Sequence, residues 1–97
     1  MKVEIYGIPE EVHRCPGCVS ARHLLDSLGI EYTFYSVINK SQNSLGFDYD
    51  RERITECAKR IGCFPNLMLR YPVIFIDDKK VPRLKQHLED LGYDTDL

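Results

Sequence analysis

The sequence predicts an α/β domain with the element order β-α-β-α-β-β-α. Three observations predict it. Short apolar runs typical of strands alternate with 3.6-residue apolar stripes typical of helices. Glycine or proline stands at most boundaries between them, and 97 residues suffice for one hydrophobic core but not for two. We therefore expect one domain over residues 1–97, in which a right-handed crossover makes the first two strands parallel neighbours.

The first half of the chain contains two predicted strands and one helix. Lys2–Tyr6 is a short strand, and a helix opens at Pro16, where the missing N–H of proline costs nothing. Its apolar stripe ends at Gly29. The β-branched and aromatic residues of Glu31–Ile38 predict the second strand. Asn39–Phe47 is polar and without a period, so we expect an irregular, mobile loop there.

The second half of the chain adds a helix, a hairpin and a last helix. A helical stripe runs over Asp50–Ile61. The continuous apolar run Val73–Ile76 predicts a strand covered on both faces, and Asp77–Lys80 turns it into a short fourth strand. Pro82 opens the last helix, which ends before Gly92. The inward-facing residues of that helix are expected to be Leu84, Leu88 and Leu91.

The pair Cys15 and Cys18 stands where the first helix begins. Two side chains three residues apart lie on one side of a helix with Cβ atoms roughly 5–6 Å apart, so a small adjustment closes a disulfide. The free N–H groups and the positive dipole end of the helix would stabilise a thiolate at Cys15. Cys18 lies on the apolar stripe and therefore faces the core. The spacing predicts a redox pair in which Cys15 is the attacking sulfur.

Composition restricts the possible partners. The chain is 43% hydrophobic and 29% charged with a formal net charge of −2, which is typical of a soluble globular protein and indicates neither a nucleic-acid nor a membrane partner. No signal-peptide pattern follows Met1, and no apolar run is long enough to span a membrane. We expect a cytoplasmic protein, in which a CxxC pair is more often catalytic or metal-binding than structural.

Two alternative functions would also explain the cysteines of this sequence. The four cysteines would suffice in number for a zinc-binding interaction module with Cys57 and Cys63 as the further ligands. Their spacing argues against it, because in an intact helix Cys63 lies about 9 Å further along the axis than Cys57. Cys57 is interpreted as a small buried apolar residue and Cys63 as an exposed, oxidisable thiol. A protein that clamps a partner through the CxxC without turnover is the third alternative.

Further motifs lie at characteristic distances from the cysteines. They are Tyr6-Gly7 after the first strand, the run from His13 to Cys18, and Ile61-Gly62 leading to Tyr71-Pro72 before the third strand. With them the chain resembles a glutaredoxin of the thioredoxin superfamily, most closely the small glutaredoxins encoded by T-even bacteriophages. The resemblance covers nearly the whole chain. It implies a thioredoxin-like fold with strand order 2-1-3-4, helices on both faces, and a cis peptide bond between Tyr71 and Pro72.

The same resemblance implies a thiol–disulfide oxidoreductase. Cys15 would attack a protein disulfide and Cys18 would resolve the mixed disulfide. The backbone of Tyr71, exposed by Pro72, would pair with substrate or glutathione. The implied acceptor is ribonucleotide reductase, and the implied reductant is glutathione, thioredoxin reductase or both. We expect a monomer without bound cofactor or metal, located in the host cytoplasm if a phage encodes it.

Four more residues are candidates for the site, two of them, Arg14 and Tyr6, by resemblance. Arg14 would bind the glycyl carboxylate of glutathione and favour the Cys15 thiolate, and Arg70 is a second, weaker candidate for substrate binding. His13 lies two residues from Cys15 and is a candidate thiolate partner or proton carrier, the alternative being a loop histidine without a catalytic role. Tyr6 would pack near the active-site disulfide.

The chain departs from the glutaredoxin pattern at its last helix. Most glutaredoxins have Gly-Gly and an acidic residue there, which hold the γ-glutamyl end of glutathione. Here Val81-Pro82-Arg83 replaces that element, so that Pro82 removes one N–H donor. Lys85 stands near the acidic position and inverts its charge. The departure predicts weaker binding of glutathione.

Overall fold

The computed structural model describes residues 1–95, so residues 96 and 97 of the predicted domain lie outside the described residues. Within residues 1–95 the helices are α1 (Pro16–Ser27), α2 (Arg51–Ile61) and α3 (Leu84–Asp90). The strands are β1 (Val3–Gly7), β2 (Thr33–Ser36), β3 (Ile38–Lys40), β4 (Phe47–Tyr49), β5 (Val73–Ile76) and β6 (Lys79–Lys80). The predicted element order is present, with β3 and β4 added between β2 and α2.

The main sheet has the strand order β2-β1-β5-β6. Strand β1 pairs in parallel with β2 and antiparallel with β5, and β6 pairs antiparallel with β5. Because β5 and β6 are the predicted third and fourth strands, the predicted order 2-1-3-4 is confirmed. Tyr6 pairs with Tyr35 on one side and with Val73 on the other. The end of β1 and the start of β5 therefore lie side by side at one end of the sheet.

Helices cover both faces of the sheet, because alternate side chains of its strands enter two separate clusters. Val3 and Ile5 pack in a cluster with residues of α1 and α3, whereas Tyr6 packs in a cluster with residues of α2. In β5 all four side chains are buried, as the apolar run predicted.

No helix in the described part of the chain is both long and apolar enough to cross a membrane.

The helix ends follow from capping groups. The Asp50 side chain accepts a hydrogen bond from the Arg53 N–H, and Gly62, at φ 79°, ends α2 in the left-handed conformation. Asp50 is thus the cap before α2, which itself begins one residue later than predicted. Helix α3 begins at Leu84, not at Pro82. Leu91 was wrongly predicted to face inward: it follows the last helical residue and is 55% exposed.

The irregular loop predicted at residues 39–47 is confined to residues 41–46, because β3 and β4 form a hairpin whose strands include Asn39, Lys40 and Phe47. Its turn is held by Asn43, whose amide nitrogen donates to the Phe47 carbonyl and to Asp48 Oδ1 at 2.9 and 2.7 Å. The side-chain Oδ1 of Asn43 accepts from the backbone N–H groups of Leu45 and Gly46. The second predicted strand is correspondingly shorter, because its last residue, Ile38, belongs to β3.

Candidate active site

The two cysteines of the CxxC motif lie together at the beginning of α1, as predicted. Cys15 is the N-cap residue in an extended conformation, Pro16 is the first helical residue, and Cys18 lies in the first turn. The structure joins their sulfurs as a disulfide with the Cα atoms 5.3 Å apart. Cys18 is fully buried and Cys15 is 8% exposed. As the N-cap residue, Cys15 directly precedes the helical N–H groups that have no partner within the helix, although its side chain accepts no capping hydrogen bond.

Cys18 is enclosed by the end of β1. The Ile8 N–H donates to Cys18 Sγ at 3.4 Å. A Cβ atom at Gly7 would lie 3.1 Å from that sulfur and 3.1 Å from the Phe34 ring, closer than most Cβ contacts. Gly7 and Ile8 therefore enclose the Cys18 sulfur. Gly7 stands out in the sequence only as part of the Tyr6-Gly7 motif, and nothing in the sequence identifies Ile8 as a site residue.

Tyr71 and Pro72 lie directly against the cysteines. Cys15 Sγ is 4.0 Å from the Tyr71 carbonyl oxygen, and the Tyr71–Pro72 peptide bond is cis, as predicted. A Cβ atom at Gly17 would lie 3.1 Å from Pro72 Cδ, so the first turn of α1 packs on the proline ring. The Phe64–Pro65 bond, which the sequence did not single out, is also cis.

The predicted polar residues around the cysteines are exposed. Within residues 1–95, neither Arg14 nor Arg70 has an ion pair or a side-chain hydrogen bond. The His13 ring packs on Phe47 with the ring centroids 5.5 Å apart. No hydrogen bond of the described residues joins His13 to either sulfur of the disulfide, so its role as a thiolate partner stays a prediction.

Tyr6 is buried in a polar network below the site. Its hydroxyl donates to Glu56 Oε2 and accepts from Arg60 Nη1 at 3.1 Å. Burial is the main reason why the pKa of Tyr6 is raised to about 12. Because its hydroxyl binds Glu56 and Arg60, Tyr6 supports the site by tying β1 to α2.

The centre of that network is the pair Glu4 and Arg60. The guanidinium donates to both carboxylate oxygens, at 3.0 and 3.1 Å, and the Tyr35 hydroxyl donates to the same carboxylate at 3.1 Å. The guanidinium also lies 3.8 Å from the centroid of the Phe75 ring. The hydrogen bonds from Arg60 hold the pKa of Glu4 below its ordinary value of 4.5. Sequence reasoning missed this pair.

The Tyr71 hydroxyl is buried, and the described residues offer it no hydrogen-bond partner. Burial raises its pKa to about 12. Because an unsatisfied buried hydroxyl costs about 1–3 kcal/mol, we expect Tyr71→Phe to leave the free energy of unfolding unchanged or to raise it by about 1 kcal/mol, as measured by urea denaturation. A loss of more than about 1 kcal/mol would show that the hydroxyl has a partner in solution.

The other two cysteines are separate from the site. Cys57 is fully buried, and this burial raises its pKa to about 11, so the thiol stays protonated and unreactive at neutral pH. Cys63 is partly exposed, and its thiol donates to the Asn66 carbonyl at 3.3 Å. Among residues 1–95, no group of three or more His, Cys, Asp or Glu side chains could hold a metal ion. The zinc-binding alternative therefore lacks a ligand set in the described part of the chain.

Two grooves adjoin the active site. The first, of about 420 Å³, lies between α1, the start of β5 and the start of α3. Its lining includes Gly17, Ser20, Pro72, Pro82 and Lys85. The second, of about 440 Å³, lies along the segment from Leu67 to Tyr71. Its lining includes Ile8, Tyr49, Arg51, Met68 and Tyr71.

A helix that starts at a redox disulfide, facing a cis-proline at the head of a sheet strand, places this chain among the thiol–disulfide oxidoreductases of thioredoxin-like fold. Comparison with known proteins narrows the class. The sequence profile of the Glutaredoxin family matches residues 3–81, so the chain belongs to the glutaredoxin family. It is also 48% identical, over 99 aligned residues, to an Enterobacteria phage T4 protein called "Uncharacterized 11.8 kDa protein in Gp55-nrdG intergenic region". That alignment covers 99% of this chain and 93% of the T4 protein.

Proposed function

We propose that this glutaredoxin is an electron donor that reduces disulfides of other proteins through Cys15 and Cys18. The observation that carries the proposal is the position of the Cys15 sulfur at the start of α1, 4.0 Å from the Tyr71 carbonyl. There the helix end favours a thiolate, and the backbone of Tyr71 is available to a polypeptide that presents its disulfide.

The reaction requires two exchanges. The Cys15 thiolate attacks one sulfur of the substrate disulfide, so that the substrate S–S bond breaks, a mixed disulfide forms, and the leaving sulfur takes up a proton. The Cys18 thiolate then attacks the Cys15 sulfur and releases the second substrate thiol. The substrate has gained two electrons and the protein is left with its Cys15–Cys18 disulfide. Two glutathione molecules, which become glutathione disulfide, or thioredoxin reductase would return it to the dithiol.

Contacts with the substrate and with glutathione would come from the exposed residues around the disulfide. The backbone of Tyr71, next to Pro72, would pair with the extended substrate or with the cysteinyl part of glutathione. Arg14 and Arg70 are exposed cations adjacent in sequence to Cys15 and Tyr71, so either would attract the glycyl carboxylate of glutathione.

The first groove is the place where the γ-glutamyl end of glutathione would lie. Pro82 lines it and offers no N–H donor, and Lys85 lines it where most glutaredoxins have an acidic residue. Both features weaken recognition of glutathione, and this is why thioredoxin reductase remains the second proposed reductant.

The proposed acceptor is ribonucleotide reductase, which the glutaredoxin resemblance implies. The T4 relative is named for the Gp55-nrdG intergenic region, which favours an acceptor in deoxyribonucleotide synthesis. Because that relative is a phage protein, the proposed location is the cytoplasm of the host. The proposed form is a monomer of one domain.

The reductant is tested by comparing turnover of a protein disulfide with glutathione plus glutathione reductase against turnover with thioredoxin reductase. The function predicts turnover in at least one of the two systems. If neither system, nor dithiothreitol, supports catalysis above the uncatalysed rate, the proposed function is wrong.

Restoring the Gly-Gly and acidic residues that most glutaredoxins have at the last helix tests the role of the first groove. We expect Pro82→Gly with Arg83→Gly, combined with Lys85→Asp, to lower the KM for glutathione by about fivefold, which corresponds to roughly one recovered hydrogen bond. The matched control is Lys79→Asp, which makes the same charge change on β6. An unchanged KM for glutathione in the restored variant would show that these positions do not limit recognition.

A further inference from the structure

We propose that the second groove, together with the segment Leu67–Tyr71, docks the polypeptide that flanks the substrate's disulfide. The occupant is an extended segment that places an apolar side chain in the groove and an acidic side chain beside Arg51. This inference rests on the proposed function, because it names the kind of protein disulfide that Cys15 would receive.

The groove is continuous with the active site through two residues. Ile8 lines the groove, and its N–H donates to Cys18 Sγ. Tyr71 also lines the groove, and its carbonyl oxygen lies 4.0 Å from Cys15 Sγ. A substrate whose disulfide has reached Cys15 therefore has its neighbouring residues within reach of this surface.

The segment Leu67–Tyr71 offers an unpaired backbone edge. Its residues alternate between partly buried and exposed, with Leu67, Leu69 and Tyr71 turned towards the core and Met68 and Arg70 towards solvent. This is the period of a strand. Within residues 1–95, however, the segment pairs with no strand, and the backbone N–H groups of Leu69 and Tyr71 have no hydrogen-bond partner. Such an edge is a template for an added strand.

The charge of this surface selects an acidic partner. Arg51 and Arg70 are exposed, and within residues 1–95 neither forms an ion pair. Arg14, beside Cys15, shares both properties. Arg51 lines the second groove, and Arg70 and Arg14 are adjacent in sequence to Tyr71 and Cys15, so all three cations adjoin the proposed path of the substrate.

Among the acidic residues near Arg51, Asp50 accepts from the Arg53 N–H and Asp48 accepts from the Asn43 side-chain amide, whereas Glu52 and Glu56 line a different groove with Arg51. Glu10 and Glu11 line another groove with Arg22 and His23.

The apolar rim of the groove indicates that the docked substrate would insert an apolar side chain. Met68 is 90% exposed and Tyr49 is 62% exposed, so two large side chains of the groove lining present apolar surface to solvent. Methionine adapts to partners of different shape. Tyr49 lies on β4, in the hairpin that the sequence did not predict, so this hairpin supplies one wall of the docking surface.

The charge part of the proposal is tested with two short peptides whose cysteine carries a mercaptoethanol disulfide. One peptide has leucine and glutamate before the cysteine, and the other has leucine and lysine. Pre-reduced protein is mixed with each peptide at low ionic strength without added reductant, and product thiol is followed by mass spectrometry. Arg51→Glu is the test variant, since an acidic residue suits the first turn of α2. Lys79→Glu is the control. It makes the same charge change on β6, where Lys79 pairs with Ile76 at the end of β5 that is far from Pro72.

We expect wild type to reduce the glutamate peptide about tenfold faster than the lysine peptide, and Arg51→Glu to remove or reverse that preference. Lys79→Glu should keep it, and all three proteins should reduce bis(2-hydroxyethyl) disulfide at similar rates. Equal rates on both peptides in wild type, or equal slowing of both by Arg51→Glu, would overturn the docking proposal while the oxidoreductase function stands. Failure to reduce bis(2-hydroxyethyl) disulfide would overturn the function itself.

The backbone part of the proposal is tested in a trapped complex. In Cys18→Ser the mixed disulfide between Cys15 and the glutamate peptide cannot resolve, so amide hydrogen exchange can be measured by NMR. The amides of Leu69 and Tyr71 should exchange at least about tenfold more slowly than in the peptide-free variant. The Met68 amide, which already donates to Asn66 Oδ1 at 2.9 Å, is the internal reference. Unchanged exchange at Leu69 and Tyr71 would overturn strand addition.

Discussion

Cys15→Ser is expected to reduce disulfide exchange to the uncatalysed rate, because no other thiol of the described chain lies at a helix N-terminus beside an open backbone edge. Cys18→Ser should still attack through Cys15 and form mixed disulfides, but it should fail with a protein disulfide that needs intramolecular resolution. The matched control is Cys63→Ser, which removes a partly exposed thiol outside the site and should keep full activity. Activity of the three variants on a glutathionylated peptide and on a protein disulfide measures the difference.

Alkylation of the reduced wild-type protein tests the same assignment without mutation. After limited treatment with iodoacetamide, mass spectrometry should find Cys15 modified first and Cys63 later. Cys18 and Cys57 should react last, because both side chains are fully buried. Preferential modification of Cys18, or full turnover of a protein disulfide by Cys18→Ser, would show that the two roles are reversed.

The sequence predicted the cysteine pair because its geometry is local. Cys15 and Cys18 lie within one helical turn, so spacing alone brings their sulfurs together. The contact of Cys15 with Tyr71 spans 56 positions of the chain, and the sequence revealed it only through the resemblance to glutaredoxins. The close approaches of Gly7 to Cys18 and of Gly17 to Pro72 depend on how β1, α1 and β5 pack. No local pattern predicts such approaches.

The hairpin of β3 and β4 was missed because its residues are mostly polar. Asn39, Lys40, Asp48 and Tyr49 are exposed, so neither alternation nor an apolar run marks these strands. What organises the hairpin is a set of side-chain bonds at its turn and the packing of Phe47 against the second core cluster. Such contacts become visible only when the partners are known in space.

Glu4 shows a second limit of sequence reasoning. An acidic residue within a short strand is ordinarily read as facing solvent, but Glu4 is only 8% exposed. Its partner Arg60 lies 56 positions away on α2, where it looks like an ordinary basic residue in the last turn of a helix. The sequence predicted β1 and α2 as separate elements, whereas the ion pair between them required the structure.

Arg60→Met should therefore lower the free energy of unfolding by about 3 kcal/mol at neutral pH, because it leaves the buried carboxylate of Glu4 without its bidentate partner. The loss is measured by urea denaturation. Arg60→Lys should recover part of it, since one ammonium replaces a two-point contact. The control is Arg51→Met, which removes an exposed arginine and should cost less than about 0.5 kcal/mol.

The pKa of Glu4 determines how the stability contributed by the Glu4–Arg60 pair varies with pH. The folded-state pKa of Glu4 is lowered from its ordinary value of 4.5, chiefly by the hydrogen bonds from Arg60. The stability that this pair contributes is therefore fully present above pH 4.5 and is lost as the pH falls through the lowered value. Arg60→Met should lose that acid-dependent part, so its stability and that of wild type should converge at low pH.

Removing both charges, in Glu4→Leu with Arg60→Met, should be less destabilising than Arg60→Met alone, because no unpaired charge remains buried. A double variant less stable than Arg60→Met, or a difference from wild type that does not shrink with acid, would show that packing of Arg60 on Phe75 matters more than its pairing with Glu4.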